Sequence, residues 1–266
     1  MRTTPSRSSP LTARKPIQLT VNADDFNLTE GVARGIWEAA SCGIVNSTSV
    51  MINLPLSSGW LRRLRSRRLL ETGLHWNLSL GKPVSPYRRA ASLTGEYGYF
   101  RRGPDVAGFS RAEIFEELEA QVERFRKLFG RLPSHFDFHH HLHEDRRIFE
   151  IAVQCSLAAR RPLRISRHMT PRIRNLYRQN KIPLTGRLWT DLSARHAWSS
   201  RSLLRALRQM RPGFHEIMCH PGYVDRDLRK ISSFAELRER ELSAFCDKEV
   251  LKEIRRRKIR LCGYGV

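Results

Sequence analysis

Apolar residues along this chain come in short runs that stop at polar ones, and the runs switch between the strand period and the helix period. The segment IQLTVNA (17–23) reads as a mostly buried strand that ends in Asp24-Asp25. A strand core would not accept paired carboxylates, so both belong at its C-terminal end. Thr29 caps a helix carrying Val32, Ile36 and Ala39 or Ala40, and Gly43 stops it. IVNSTSVMI (44–52) is a second strand, 57–70 a second helix, and 72–75 a short strand ending in His75. Ser110 and Glu113 form a capping box for a helix whose stripe runs through Ile114, Leu118, Val122, Phe125 and Phe129 to Gly130. SHFDFH (134–139) alternates like a strand and runs into His140, His141 and His143. Helix is expected over 145–158 and a brief strand over 163–165; no period is legible over 168–200. A helix over 201–211 leads to the apolar segment 214–219, which ends in His220-Pro221-Gly222. Ser233 and Glu236 make a second capping box for one long final helix, and 258–262 closes with a strand.

Strand-then-helix order, repeated without repeated sequence, indicates an α/β domain with parallel strands. Asp24-Asp25, His75, His139 and His220 all fall at the C-terminal ends of separate strands, where barrel enzymes build their sites. An open doubly wound sheet would carry a Gly-rich phosphate turn after its first strand, and Asp24-Asp25-Phe26-Asn27 is no such turn. The expected fold is therefore a single-domain, TIM-like (β/α) barrel over 17–266, with fewer than eight strands allowed. Residues 79–109 are rich in Gly, Pro, Ser and Arg and read as a long loop insertion; 1–16 read as a disordered basic tail.

Composition narrows this picture. No apolar run reaches the roughly 18 residues of a spanning helix, and the tail lacks the apolar stretch of a secretory signal. The five cysteines are scattered and form no CxxC pair, which points to a reducing cytoplasm rather than a disulfide framework. An organellar transit peptide is the alternative reading of the tail. The net charge of +22 sits largely in Arg-rich runs at 62–68, 160–167, 172–178 and 255–260, expected to be solvated. Without a recognisable reading module, the charge predicts weak attraction to anionic surfaces and no specific nucleic acid. A homodimer is left open.

A catalytic metal needs about three protein ligands and an open position. One carboxylate and two imidazoles supply that set, and their liganding atoms should then lie within about 4 Å of one another. Taken singly, an Asp pair is more often a turn or helix cap, and a lone histidine a packed one. Five imidazoles between His135 and His143 are harder to dismiss, because burying them unpaired is costly.

The segments VNADDFNLTEGVARGIWEA, NSTSV, GLHWNLSLGKPVS, PSHFDFHHHLH and EIMCHPGYVD resemble, in order, the motifs of YdjC-like (ChbG/HpnK) carbohydrate deacetylases. The resemblance covers about 17–225 and implies a distorted β/α barrel, one divalent cation and hydrolysis of an N-acetyl group on a sugar. Matched position by position, it implies that Asp24 is the catalytic base, that Asp25, His75 and His139 hold the metal, and that His220 lies by the leaving amine. Arg164 would support the base. Magnesium is implied by the family, whereas two imidazoles and a carboxylate also suit zinc. Asn27 and Phe138 depart from the family pattern without removing a ligand: Asn tolerates a positive φ, and Phe138 should face away from His139. Trp76, Tyr97 and Tyr99 are candidates for stacking on a sugar ring, or else pack the loop onto the barrel. A metal phosphoesterase, a non-haem iron oxygenase and a non-catalytic polyanion-binding protein compete with this reading.

Overall fold

Strand β1 (Ile17–Phe26) is buried from Leu19 onward and lies at the centre of the sheet in the computed structural model, which describes residues 16–66, 69–103, 106–191 and 197–265. On one side follow β2 (Ser47–Val50), β3 (Glu71–Trp76) and β4 (Phe136–Phe138); on the other lie β6 (Gly213–Cys219) and β5 (Arg187–Trp189). Every pairing is parallel. β7 (Arg260–Leu261) pairs with the lower end of β1 at Gln18 and Leu19. Beyond β4 the sheet is carried on by Leu163, which bridges Phe136, and by Thr185 Oγ1, which accepts from the Ile165 amide. The result is a half-barrel of parallel strands wrapped by helices, the distorted α/β barrel that the family resemblance implies.

The helices are α1 (Glu30–Cys42), α2 (Ser58–Arg65), α3 (Arg111–Phe129), α4 (Arg146–Ala159), α5 (Pro171–Gln179), α6 (Ser200–Gln209), α7 (Arg226–Ile231), α8 (Leu237–Phe245) and α9 (Lys248–Arg256). Among the described residues none is long and apolar enough to cross a membrane. The 163–165 strand reduces to a single bridge, and a strand that was not expected, β5, forms in the stretch without a legible period. The expected long final helix is two: Asp247 takes an extended conformation and its side chain accepts from the Glu249 amide, starting α9 afresh. Neither expected capping box forms. Glu113 instead accepts from the amide and hydroxyl of Ser92, and Glu236 caps α8 with no side-chain bond. A box that does form, Ser199 with Ser202, opens α6. The basic tail, apart from Pro16, lies outside the described residues.

Strand alternation sends Thr20, Asn22 and Asp24 of β1 into the barrel and leaves Leu19, Val21 and Ala23 on the opposite face. Inside they meet Ser49 of β2, His75 of β3, Asp137 of β4 and Glu216 of β6, all buried. Barrel interiors are commonly filled by branched apolar residues. This one is polar because a single fully buried guanidinium, Arg164, supplies the donors that its carboxylates need. The expectation that no strand core would take Asp24 is corrected on that ground: β1 runs through both aspartates to Phe26.

Candidate functional site

The top of β1 departs from a regular strand. Its pairing with β2 shifts register between Ala23 and Phe26, and Asp25 and Asn27 have φ of 67° and 78°. Such a bulge re-aims side chains. Adjacent residues of a flat strand face opposite ways, yet here Asp24 and Asp25 both line one cleft of about 260 Å³, together with His75, His139, His220 and Arg238. Asn27 holds the turn by donating to the carbonyls of Met51 and Leu54. A larger depression of about 800 Å³ runs along α3 beside Phe115 and Leu128, and it contains none of these groups.

His75 and His139 converge on one oxygen. Asp25 Oδ1 lies 3.1 Å from His75 Nε2 and 2.8 Å from His139 Nδ1, and candidate ligand atoms of all three lie within 4.8 Å of one another. The two distances to Asp25 fall within the expected 4 Å or so. The other oxygen, Oδ2, takes a 2.6 Å bond from Arg238 Nη2. The opposite nitrogen of His75, Nδ1, is 2.8 Å from Asp137 Oδ1, so the ring is oriented with Nε2 toward Asp25. A carboxylate behind a histidine is how metal-binding imidazoles are commonly held. His139 follows β4 directly, where the chain turns through His140 and His141, both at positive φ.

A second group, Asp24, His75 and Asp137, is equally close. It is already neutralised. Arg164 grips Asp24 with Nη1 on Oδ2 at 2.6 Å and Nη2 on Oδ1 at 2.8 Å, while Nη2 also reaches Asp137 at 2.9 Å and Nε reaches Glu216 at 2.6 Å. Arg164 occupies both oxygens of Asp24 and reaches Asp137, whereas Arg238 takes only Oδ2 of Asp25 and leaves Oδ1 to the two imidazoles, so the Asp25 group is the better cation site. Arg164 belongs to a run expected to be solvated; it is instead completely buried.

Neighbouring charges set the protonation of the cluster. Burial lowers the pKa of His75, but Asp137 outweighs it and raises the ring to about 10. Burial would raise Asp25, yet His139 and Arg238 bring it well below the ordinary carboxylate range. Asp137 is likewise held down, against burial, by Arg164 and His75. A proton thus sits where a metal would displace it. His220 differs: burial pushes it to about 4 despite Asp25 and Asp24. Its backbone amide is fixed by Glu241 at 2.6 Å, and its ring meets Phe234 edge-on.

Three residues that hold this arrangement escaped the sequence reading. They are Asp137 of β4, Glu216 of β6 and Arg238 of α8. Trp76 is corrected: it is fully buried, stacks on Phe136 at 4.1 Å and donates to the Leu118 carbonyl, so it belongs to the core and not to a sugar site. Phe138 packs against Trp76 and also borders the cleft that His139 lines. Tyr97 and Tyr99 are exposed on the 79–109 loop and do not line the cleft.

A family model described as YdjC-like protein matches residues 18–256. A carbohydrate deacetylase of Geobacillus stearothermophilus is 33% identical over 250 residues, which cover 94% of this chain and 97% of that protein. One of Thermoanaerobacter pseudethanolicus is 34% identical over 256 residues, covering 93% and 98%. A solved structure from Enterococcus faecalis, described as a cellobiose-phosphate cleavage protein, superposes with a TM-score of 0.83 at 28% identity, covering 94% of this chain and 98% of that one. A peptidoglycan N-acetylglucosamine deacetylase shares the fold alone, with a TM-score of 0.52 at 9% identity over 94% of this chain and 88% of the other. With one family model spanning nearly all of the described barrel and relatives aligned over almost their whole length, the chain belongs to the YdjC-like family.

Proposed function

We propose that this protein is a metal-dependent carbohydrate deacetylase, which hydrolyses the N-acetyl group of an amino sugar. The observation that carries the reading is the meeting of His75 Nε2 and His139 Nδ1 on a single oxygen of Asp25, beside an Asp24 held by Arg164. Asp25, His75 and His139 would hold one divalent cation. Two imidazoles and a carboxylate fit zinc by ligand type; magnesium, which keeps several waters and prefers oxygen, is what the family resemblance suggests. Such a cation, when bound, acidifies water and polarises a carbonyl.

The chain's own residues do the rest. Asp24, oriented by Arg164 and by Asn22 Nδ2 at 2.8 Å, takes a proton from the attacking water. As the C–N bond breaks, the nitrogen leaves with that proton, giving acetate and the free amine. His220 is neutral at pH 7, so its part is to hydrogen-bond the departing nitrogen and relay the proton. The cytoplasm suits such an enzyme. Its +22 charge should add only a salt-sensitive attraction to polyanions.

Metal analysis of untagged protein and an acetate-release screen over N-acetyl sugars test the reading. Asp24→Asn should keep the metal and lose turnover by about 10²- to 10⁴-fold. His75→Ala and His139→Ala should lose both. Equal metal loss in all three would show that the roles of the Asp pair are wrongly divided, and phosphomonoester cleavage without acetate release would replace the deacetylase.

A further inference from the structure

Among the described residues, five large apolar or aromatic side chains are exposed, and three of them, Tyr87, Tyr97 and Tyr99, stand on one loop. That loop is braced. Glu117 of α3 accepts from the amides of Val84 and Ser85, Glu113 accepts from the Ser92 amide, and the buried Phe100 donates its amide to the Gly81 carbonyl. Its tip is strained: Tyr97 and Gly98 have φ of 56° and 70°, and a bulky aromatic residue seldom takes that conformation without something to fix it. The turn leaves the Tyr97 ring 87% exposed. A depression of about 340 Å³ opens there, lined by Lys82, Pro83, Ser85, Tyr87, Tyr97 and Gly98, and Lys82 Nζ lies 4.8 Å from the Tyr99 ring centre. Rings exposed to this degree are not packing the loop onto the barrel.

The loop is continuous with the mouth of the metal site. Ser79 Oγ lies 2.9 Å from His140 Nδ1, and the His140 ring centre is 3.9 Å from that of His139. Three Cα–Cα steps separate Ser79 from Lys82, a reach of at most about 11 Å.

We propose that the Tyr87–Tyr97 depression is a distal sugar subsite, which takes pyranose rings of an N-acetylated oligosaccharide some way from the ring being deacetylated. The proposal rests on the deacetylase reading above and narrows it to oligomeric substrates. Tyrosine offers a flat apolar face to the C–H side of a sugar and a hydroxyl to its edge, and the Lys82 ammonium supplies a further donor for sugar oxygens.

The test reads chain length by two routes. One compares kcat/KM for N-acetylglucosamine and its longer β-1,4 oligomers in the wild type, in Tyr87→Ala/Tyr97→Ala and in Tyr87→Phe/Tyr97→Phe. The other measures binding of the same sugars to Asp24→Asn, with and without the alanine pair. The wild type should favour longer oligomers, and the alanine pair should cut the long-to-short ratio by about two- to tenfold, while the phenylalanine pair retains it. An unchanged ratio would overturn the subsite, as would equal loss on long and short sugars, which would mark the loop as a support of the cleft. Preference for a lipid-linked monosaccharide over longer sugars would overturn it too. Tyrosine-dependent binding of long oligomers without acetate release would keep the subsite and reject the deacetylase.

Discussion

Arg164 shows how much one side chain can decide. Its planar fork matches carboxylates in pairs, and here it serves Asp24, Asp137 and Glu216 at once in a fully buried setting. Removing it would take the guanidinium from Asp24 and Glu216 and leave Asp137 with His75 as its charged partner. Arg164→Met should therefore destabilise the fold by about 3–5 kcal/mol, read as a shift in urea midpoint. Arg164→Lys, with a point charge that cannot make the paired grip, should keep more of the stability than of the turnover. Asp137→Asn tests a different contact: loss of the carboxylate behind His75 should weaken metal binding by about 10- to 100-fold while the far-ultraviolet spectrum stays native. An unchanged metal affinity would mean that His75 needs no orienting partner. The residues proposed to hold the cation were singled out because each interrupts an apolar run at its end. Asp137 and Glu216 were not, because a polar residue inside a strand is read as facing water and nothing local reveals that the barrel interior holds an arginine. Trp76 was legible in principle, since period two puts it on the face opposite His75.

At the level of elements, β3 depends on having no side chain at Gly73. A Cβ built there would come within 2.2 Å of the His135 ring, which stacks on Tyr264 at 3.8 Å. Gly73→Ala should force β3 and β4 apart and disturb His75 two residues on. We expect about 1–3 kcal/mol lower stability together with weaker metal binding, checked by denaturation and metal titration of one variant. Native metal affinity in a destabilised Gly73→Ala would show that the clash is absorbed away from His75. Strands with strong apolar runs were readable to within a few residues, and α3 was readable throughout. Its N-terminus misled for a clear reason: Glu113 lies on the same stripe as Glu117 and Gln121, and all three turn to the loop and the end of β3. A capping-box pattern cannot say whether a distant partner will win the glutamate. β5, three residues long and only partly buried, lacks enough periods to declare itself.

For the molecule as a whole, cation binding and folding are one equilibrium. A ligand at one hundred times its Kd adds about 2.7 kcal/mol to stability. In a chain of this size that corresponds to a rise in Tm of roughly 5–10 °C. Zinc or magnesium added to chelator-treated protein should show it, and His139→Ala should not; a rise of the same size in that variant would place the cation elsewhere. The central position of β1 has a further consequence, in time rather than in energy. Its aspartates leave the ribosome early, but the groups that neutralise them arrive late: Arg238 follows Asp25 by 213 residues. At about 5–20 residues per second the wait is roughly 10–40 s. For the first 140 of those residues the first strand has neither β6 beside it nor Arg164 to set its charges against, so the nascent chain holds these aspartates open to solvent until both partners have been made.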